Sequence, residues 1–197
     1  MKLILFHGTS AENAKKIEQE GFATDKSYNW EVTSQKGFVY LSTAYAPFYA
    51  MKHDTNDLAL VKVEVDSKDL FPEDDFIMFS LGKPKYEQAD LEKISKMMPR
   101  LKHLWMRSLS YLGNVAIRPN KIKVLGIRYF DEAGLVMKCD PVISTMNYKI
   151  MGNYYKELSH WIFDGKNIAE FRSESCAFMN PITKEEFDKK IEEQNKK

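Results

Sequence analysis

The stretch LFHGTSAENAKKIEQEGF, Leu5 to Phe22, joins a short apolar run directly to a segment with helical spacing. The run Lys2–Phe6 is mostly apolar and predicts a strand. Ser10 is a suitable helix N-cap, and Gly21 is a suitable residue just after the last helical turn. The His-Gly-Thr that begins at His7 lies between the two elements. The stretch therefore predicts either a plain β-to-α connection or a turn that binds a ligand.

The composition is that of a globular protein of ordinary size. Of the 197 residues, 44% are hydrophobic and 29% are charged, which allows one sizeable core. The net charge of +1 excludes a strong overall field toward nucleic acid or anionic lipid. Two scattered cysteines indicate neither a disulfide framework nor a zinc knuckle. No signal peptide or membrane span is recognisable, so we expect a cytoplasmic protein without membrane partners.

The order of strand-like and helix-like segments predicts an α+β fold with a sheet of mixed order, and not a βαβ series. The chain divides into a predicted core, residues 1–130, and a predicted C-terminal extension, residues 131–197, which ends in a charged tail at 185–197. The predicted strands are Lys2–Phe6, Phe38–Ser42, Leu58–Val65, Asn114–Ile117 and Lys121–Tyr129, and the predicted helices lie in 10–20, 44–52, 90–112 and 142–163.

Three short polar segments stand at predicted strand ends: His7-Gly8-Thr9, Tyr40-Leu41-Ser42-Thr43 and Gly113-Asn114-Val115-Ala116. Each one alone has an ordinary structural explanation. A histidine at a strand end commonly makes a structural hydrogen bond, a tyrosine in a strand commonly belongs to the core, and a glycine before a strand commonly makes a turn. Their combination and order carry more information than any one of them.

The stretches HGTSAENAKKIEQEGF and VYLSTAYAPFYA, followed by a strand of the LVKVEVD type, resemble the ADP-ribosyltransferase superfamily. The likeness is to the branch with a His-Tyr-Glu triad, which includes diphtheria toxin and the poly-ADP-ribose polymerases. It implies an ADP-ribosyltransferase-like split mixed sheet that clamps NAD. In that family the histidine contacts the ribose, the next glycine gives backbone contacts to the nicotinamide amide, and the tyrosine stacks on nicotinamide. The resemblance thereby implies that NAD is held by His7, Gly8, Thr9, Tyr40, Ser42 and Thr43.

The family's catalytic glutamate lies on a late strand, where it stabilises positive charge at the anomeric carbon of the ribose. The matching position here is Asn114, in YLGNVAIRPNKI, and an amide carries no negative charge. HLWMRSLSYLGNVAI also resembles bacterial and phage relatives of uncertain function that lack an obvious glutamate there. Substitute acids stand in LFPEDDF, namely Glu73, Asp74 and Asp75, and we select Asp75 as the candidate catalytic acid. The structural alternative is a solvated acidic turn.

We therefore expect a glycosyltransferase that cleaves the nicotinamide N-glycosidic bond of NAD and transfers ADP-ribose to a protein or nucleic-acid acceptor, as a toxin, defence protein or phage effector. Three alternatives stay open: an enzyme that removes a base from nucleic acid, an RNA phosphotransferase, and a module that binds NAD or ADP-ribose without cleaving it. We expect no metal, because His103 and His160 have no companions at metal-ligand spacing.

Overall fold

The computed structural model describes residues 1–23, 35–53, 55–80, 91, 93, 96, 103–111, 113–131, 148–177, 180 and 184–196. The strands are β1 (Lys2–Ser10), β2 (Val39–Ser42), β3 (Asp57–Asp66), β4 (Leu70–Pro72), β5 (Asn114–Ile117) and β6 (Lys123–Asp131). The helices are α1 (Ala11–Glu20), α2 (Ala46–Ala50), α3 (Asp74–Ser80), α4 (Trp105–Tyr111), α5 (Tyr148–Phe163) and α6 (Lys184–Asn195).

The described strands form one open six-stranded antiparallel sheet in the order β4-β5-β2-β1-β3-β6. The α+β class predicted from the sequence is confirmed. The described strands are antiparallel and not of the predicted mixed order, and the finer ADP-ribosyltransferase-like split clamp stays a prediction. Within the sheet, β2 pairs antiparallel with both β1 and β5, so that Ser42 lies opposite Phe6 on one side and Asn114 on the other. The strands that carry the three polar segments are therefore neighbours.

The opening stretch folds largely as its residues predict, with one difference. Helix α1 buries Ala14 and Ile17, and it ends where the Gly21 nitrogen donates to the Ile17 carbonyl at 2.9 Å. Gly21 has a φ of +78°, which glycine adopts without the steric penalty of a side chain. Strand β1, however, continues to Ser10, so the His-Gly-Thr segment lies within the strand.

The chain forms two compact units, and the first contains residues 1–7, 12–43 and 61–127. Its main core is built from alternate positions of the strands, because successive side chains of a strand point to opposite faces. The main core cluster includes Leu5, Val39, Leu41, Val61, Val63, Val115 and Ile117. A smaller cluster of Phe38, Ile77, Leu91 and Ala116, with Tyr40 and Phe71 packed against it, takes the intervening positions of β2 and β5.

The second unit contains residues 8–11, 44–60 and 128–197, and so joins the predicted C-terminal extension to two segments of the predicted core. Aromatic rings dominate its interior. Phe48 and Tyr45 both contact Tyr155, and Phe171 contacts Tyr154 edge to face with the ring centroids 5.2 Å apart. Among the described residues, no helix combines the length and the apolar character needed to cross a bilayer.

Candidate active site

A polar group of residues lies in the first unit, on the face of β2 and β5 that points away from the main core. Ser42 is directly opposite Asn114, and Tyr40 is directly opposite Ala116. Directly opposed residues of an antiparallel pair share a face, so Tyr40, Ser42 and Asn114 all point to the same side. Ser42 and Asn114 are each only 2% exposed. Two segments of the resemblance, from β2 and β5, thus meet on one face of the sheet.

Asn114 contacts the carboxylate of Glu73, which lies between β4 and the first residue of α3. The Asn114 amide nitrogen donates to Glu73 Oε1 at 3.3 Å and to Oε2 at 3.4 Å. The pairing of β4 with β5 explains this contact. Pro72 lies opposite Val115, and Glu73 and Asn114 are the next residues on the same side of that pair. A carboxylate is therefore present at the position where the sequence offered only an amide, and it belongs to Glu73 and not to the selected Asp75.

Ser108 fastens the backbones of these two residues to each other. Its hydroxyl donates to the Asn114 carbonyl oxygen at 2.7 Å and accepts from the Glu73 nitrogen at 3.0 Å, and Ser108 is fully buried. Together with the amide-carboxylate contact, these bonds close a ring through Glu73, Ser108 and Asn114. We did not assign Ser108 a site role from the sequence. The signal that could have found it is the Ser-Leu pair in HLWMRSLSYLGNVAI, the stretch that resembles bacterial and phage relatives.

The Glu73 carboxyl is electrostatically unusual. Its pKa is raised to about 8, mainly by burial and further by the charges of Asp75 and Asp74, while the hydrogen bond from Asn114 acts in the opposite direction. Asp74 is itself only 4% exposed. A carboxyl whose pKa lies near neutral pH is typical of acid–base sites, although buried structural carboxyls also show such shifts. Asp75 thus acts on the site through its charge on Glu73.

Tyr40 is tied to the same acidic segment through its hydroxyl. The oxygen accepts a hydrogen bond from the Gln35 nitrogen at 3.1 Å, and the hydroxyl also hydrogen-bonds the Asp74 carboxylate. Burial, followed by the negative charge of Asp74, raises the pKa of Tyr40 far above its usual value. The hydroxyl therefore stays protonated and donates a hydrogen bond to the Asp74 carboxylate. The ring packs against the smaller core cluster. Tyr40 therefore positions Asp74, and the stacking role implied by the resemblance stays a prediction.

His7 reaches this group through the backbone. Its Nδ1 lies 3.0 Å from the Tyr40 carbonyl oxygen, which can only accept, so Nδ1 carries the proton of this bond. In the neutral ring Nε2 is then an acceptor. The imidazole also packs edge to face on Phe22, with the centroids 5.2 Å apart. Because Phe6 is opposite Ser42, the alternation of β1 directs His7 to the face opposite the Tyr40 side chain.

Gly8 has a packing reason for being glycine. A Cβ at this position would overlap the Ala46 carbonyl oxygen and lie 2.8 Å from the Ala50 nitrogen, because α2 packs directly on the β1 backbone. The side on which we expected a ligand to approach Gly8 is thus occupied by a helix. Thr9, the next residue, is 2% exposed. Gly8 and Thr9 belong to the second unit, and the polar group described above belongs to the first.

The predicted site residues Ser42 and Thr43 both contact the turn that precedes β5. The Ser42 hydroxyl donates to the Gly113 carbonyl at 2.7 Å, and the Thr43 nitrogen donates to the same oxygen at 3.3 Å. Gly113 has a φ of +75°, which explains a glycine at this turn. The single proton of the Ser42 hydroxyl is therefore used in the hydrogen bond to Gly113, and the hydroxyl is not a donor to a ligand in this arrangement.

Several other charged and aromatic side chains of the first unit have structural roles. The Arg118 guanidinium stacks on the Phe38 ring at 4.1 Å and donates to the Gly37 carbonyl, and Trp105 packs against the main core cluster. Glu64 forms an ion pair with Lys2 at 3.5 Å. Most residues of 81–102 lie outside the described residues. Among those described, no group of three potential metal ligands occurs.

Comparisons with known proteins give no relative for this chain: no family model, no curated protein and no solved structure matches it. The geometry of the site and the resemblance of its motifs are therefore the observations on which a functional proposal can rest.

Proposed function

We propose that the protein is an ADP-ribosyltransferase-like enzyme that cleaves the nicotinamide N-glycosidic bond of NAD and transfers ADP-ribose to a macromolecular acceptor. The supporting observation is the contact between the Asn114 amide and the Glu73 carboxylate. The resemblance placed the catalytic acid at position 114 and found an asparagine. A carboxylate held by that asparagine supplies the missing negative charge from a different part of the chain.

In this proposal Glu73 stabilises the positive charge that develops at the anomeric carbon. Asp74 and Asp75 add to the negative potential, and they are close enough to Glu73 to raise its pKa. NAD, when bound, supplies a cationic leaving group whose departure needs no proton. A cation bound near Glu73 favours the ionised carboxyl and so lowers its pKa, which converts the group to the charged form that the reaction requires.

The residues on β2 fit part of a nicotinamide site. The buried Ser42 hydroxyl and the Tyr40 ring lie on the same face, where the resemblance assigns them to the nicotinamide amide and ring. His7 lies on the other face of the sheet, and the resemblance, which gives the histidine a ribose contact, is what assigns it to a group of the dinucleotide distant from the nicotinamide. We accordingly assign Glu73 and Asn114 to the reacting end and His7 to a distal contact.

The experiment is to incubate the purified protein with NAD labelled on adenosine, with and without cell lysate, and to measure free nicotinamide and labelled macromolecules. We expect Glu73→Gln to reduce nicotinamide release about 100-fold or more, because a neutral amide cannot stabilise the developing charge. Glu64→Gln is the matched control, since Glu64 is a half-buried glutamate in an ion pair on β3. NAD binding without nicotinamide release by the wild type would contradict the proposal.

The raised pKa of Glu73 favours one second candidate, the removal of a base from nucleic acid. A neutral base is a poor leaving group unless it is protonated, and a carboxyl with a pKa of about 8 can donate a proton at neutral pH. The same assay therefore includes single-stranded DNA and RNA oligonucleotides, with abasic sites as the readout. Abasic sites in the absence of NAD cleavage would replace the first candidate with the second.

A further inference from the structure

The helix α4 contains two serines that use their hydroxyls differently. Ser110 is exposed and donates to the Met106 carbonyl of its own helix at 2.8 Å, which is a common arrangement for a serine in a helix. Ser108 is fully buried, and its hydroxyl donates to Asn114 at 2.7 Å and accepts from the Glu73 nitrogen. Serine gives no advantage to a helix interior, so the reason for Ser108 lies in these two contacts outside α4.

The Asn114 amide alone holds the Glu73 side chain weakly. Its contacts of 3.3 Å and 3.4 Å to the two carboxylate oxygens are longer than the most frequent N–H···O distances of about 2.9–3.0 Å. Asp74 and Asp75 meanwhile repel the ionised carboxyl. Two long hydrogen bonds opposed by two like charges do not fix a flexible side chain.

The two bonds to Ser108 are shorter and act on the backbone. They fix the position of the Glu73 nitrogen relative to the Asn114 carbonyl oxygen, and these atoms belong to the two residues whose side chains are in contact. We propose that Ser108 is a positioning residue, which holds the Glu73 carboxylate against the Asn114 amide by clamping the two backbones together. This inference rests on the proposed function only where it concerns catalysis, since the position of Glu73 can be measured without a substrate.

The first measurement is an NMR titration of the Glu73 side-chain carboxyl, with its signal identified by its loss in Glu73→Gln. We expect a midpoint of about 8 in the wild type and a midpoint nearer the ordinary 4.5 in Ser108→Ala, because a released carboxyl reaches water. Ser108→Thr, which keeps a hydroxyl, and Ser110→Ala, the matched control on the same helix, keep the wild-type midpoint. A wild-type midpoint in folded Ser108→Ala overturns the inference.

The second measurement is nicotinamide release in a double-mutant cycle. We expect Ser108→Ala to lower kcat roughly 10- to 100-fold while KM changes little, since misplacing a reacting group affects the transition state. In a Glu73→Gln background the same change has no further effect, because the group that Ser108 positions is already gone. Equal losses in both backgrounds contradict a role through Glu73 and indicate a purely structural serine.

The two parts of the experiment separate the possible failures. If the wild type releases no nicotinamide but its Glu73 midpoint falls in Ser108→Ala, the proposed function is wrong and the positioning role stands. If Ser108→Ala does not fold, Ser108→Cys replaces it, because a thiol is close to a hydroxyl in size and is only a weak donor. We then expect a midpoint between the wild-type and ordinary values, and an unchanged midpoint overturns the inference.

Discussion

Each of the two units contains a glutamate whose pKa differs from the ordinary value, and the two shifts have opposite signs. In the first unit, burial and neighbouring acids raise the pKa of Glu73 to about 8. In the second unit, burial opposes ionisation of Glu157, but hydrogen bonds from Ser173, Ser175 and the Glu174 nitrogen outweigh it and lower the pKa. The Glu174 nitrogen donates to Glu157 Oε2 at 2.9 Å, and the Ser175 nitrogen donates to Oε1 at 3.2 Å.

The ionised form of Glu157 stabilises the folded protein, whereas the ionised form of Glu73 destabilises it. Glu157 connects α5 to the segment at 173–175 with several donors, which is what a structural carboxylate requires. Glu73 has one amide at long range and two like charges close by. Groups that are costly to bury in this way are concentrated at functional sites, which is why the comparison favours a role for Glu73.

The largest effect is expected when the amide donor is replaced by a third acid. Asn114→Asp places a carboxyl 2% exposed next to Glu73, and we expect a loss of about 3 kcal/mol or more in unfolding free energy at about pH 9. The loss is smaller at about pH 5, where the pair can share protons. Urea unfolding measures both, with the exposed Asn120→Asp as control. Equal losses at the two pH values contradict the expected proximity of the two carboxyls.

The next effect tests the sign of the Glu73 shift. Its pKa is raised on folding, so its contribution to stability is fully present below 4.5 and is lost as the pH rises through about 8. Glutamine does not titrate, so we expect Glu73→Gln to gain roughly 1–3 kcal/mol relative to the wild type between about pH 5 and pH 9. Chemical denaturation across this range measures the gain, and parallel curves for the two proteins would refute it.

The opposite sign is expected for Glu157. Its pKa is lowered on folding, so its contribution to stability is present above the ordinary 4.5 and is lost as the pH falls through the folded value. We expect Glu157→Gln to cost about 1 kcal/mol at neutral pH and progressively less in acid. The same denaturation series tests this. If Glu157→Gln and Glu73→Gln shift stability in the same direction with pH, the comparison between the units fails.

The smallest effect is expected at a glutamate on the surface of α1. Glu12 pairs with Lys16 one turn later, and both side chains are well exposed. Exposed pairs of this spacing contribute about 0.3–0.5 kcal/mol, so Glu12→Gln should change the unfolding free energy by less than about 0.5 kcal/mol. A thermal melt at low and high salt checks it. If Glu12→Gln costs as much unfolding free energy as Glu157→Gln, the hydrogen bonds to Glu157 do not explain its larger contribution to stability.

The local elements were largely predictable from the sequence, and the contacts between them were not. The α1 boundary followed from Gly21, and β2, β3 and β5 followed from their apolar patterns. Strand β4 was missed, because three residues ending in a proline inside an acidic segment carry no periodic signal. That short strand positions Glu73 beside Asn114, 41 residues away. Whether Glu73 or Asp75 contacts Asn114 depends on the register between β4 and β5, and no local sequence pattern predicts that register.

Gly8 shows the same limit at a single position. The sequence indicated a glycine that lets a ligand approach, and the approaching group is the backbone of α2, more than thirty residues later in the chain. A glycine in a strand signals close approach without identifying the partner. His7 is similar, since its hydrogen bond to Tyr40 spans 33 residues.

The division of the second unit among residues 8–11, 44–60 and 128–197 has a consequence for synthesis on the ribosome. All residues of the first unit have been made once residue 127 is added, whereas the early segments of the second unit lack most of their partners at that time. At about 5–20 residues per second, the remaining residues require roughly 4–14 seconds. During this interval Phe48 of α2 lacks its partner ring Tyr155, so α2 is the segment where a ribosome-associated chaperone is expected to bind.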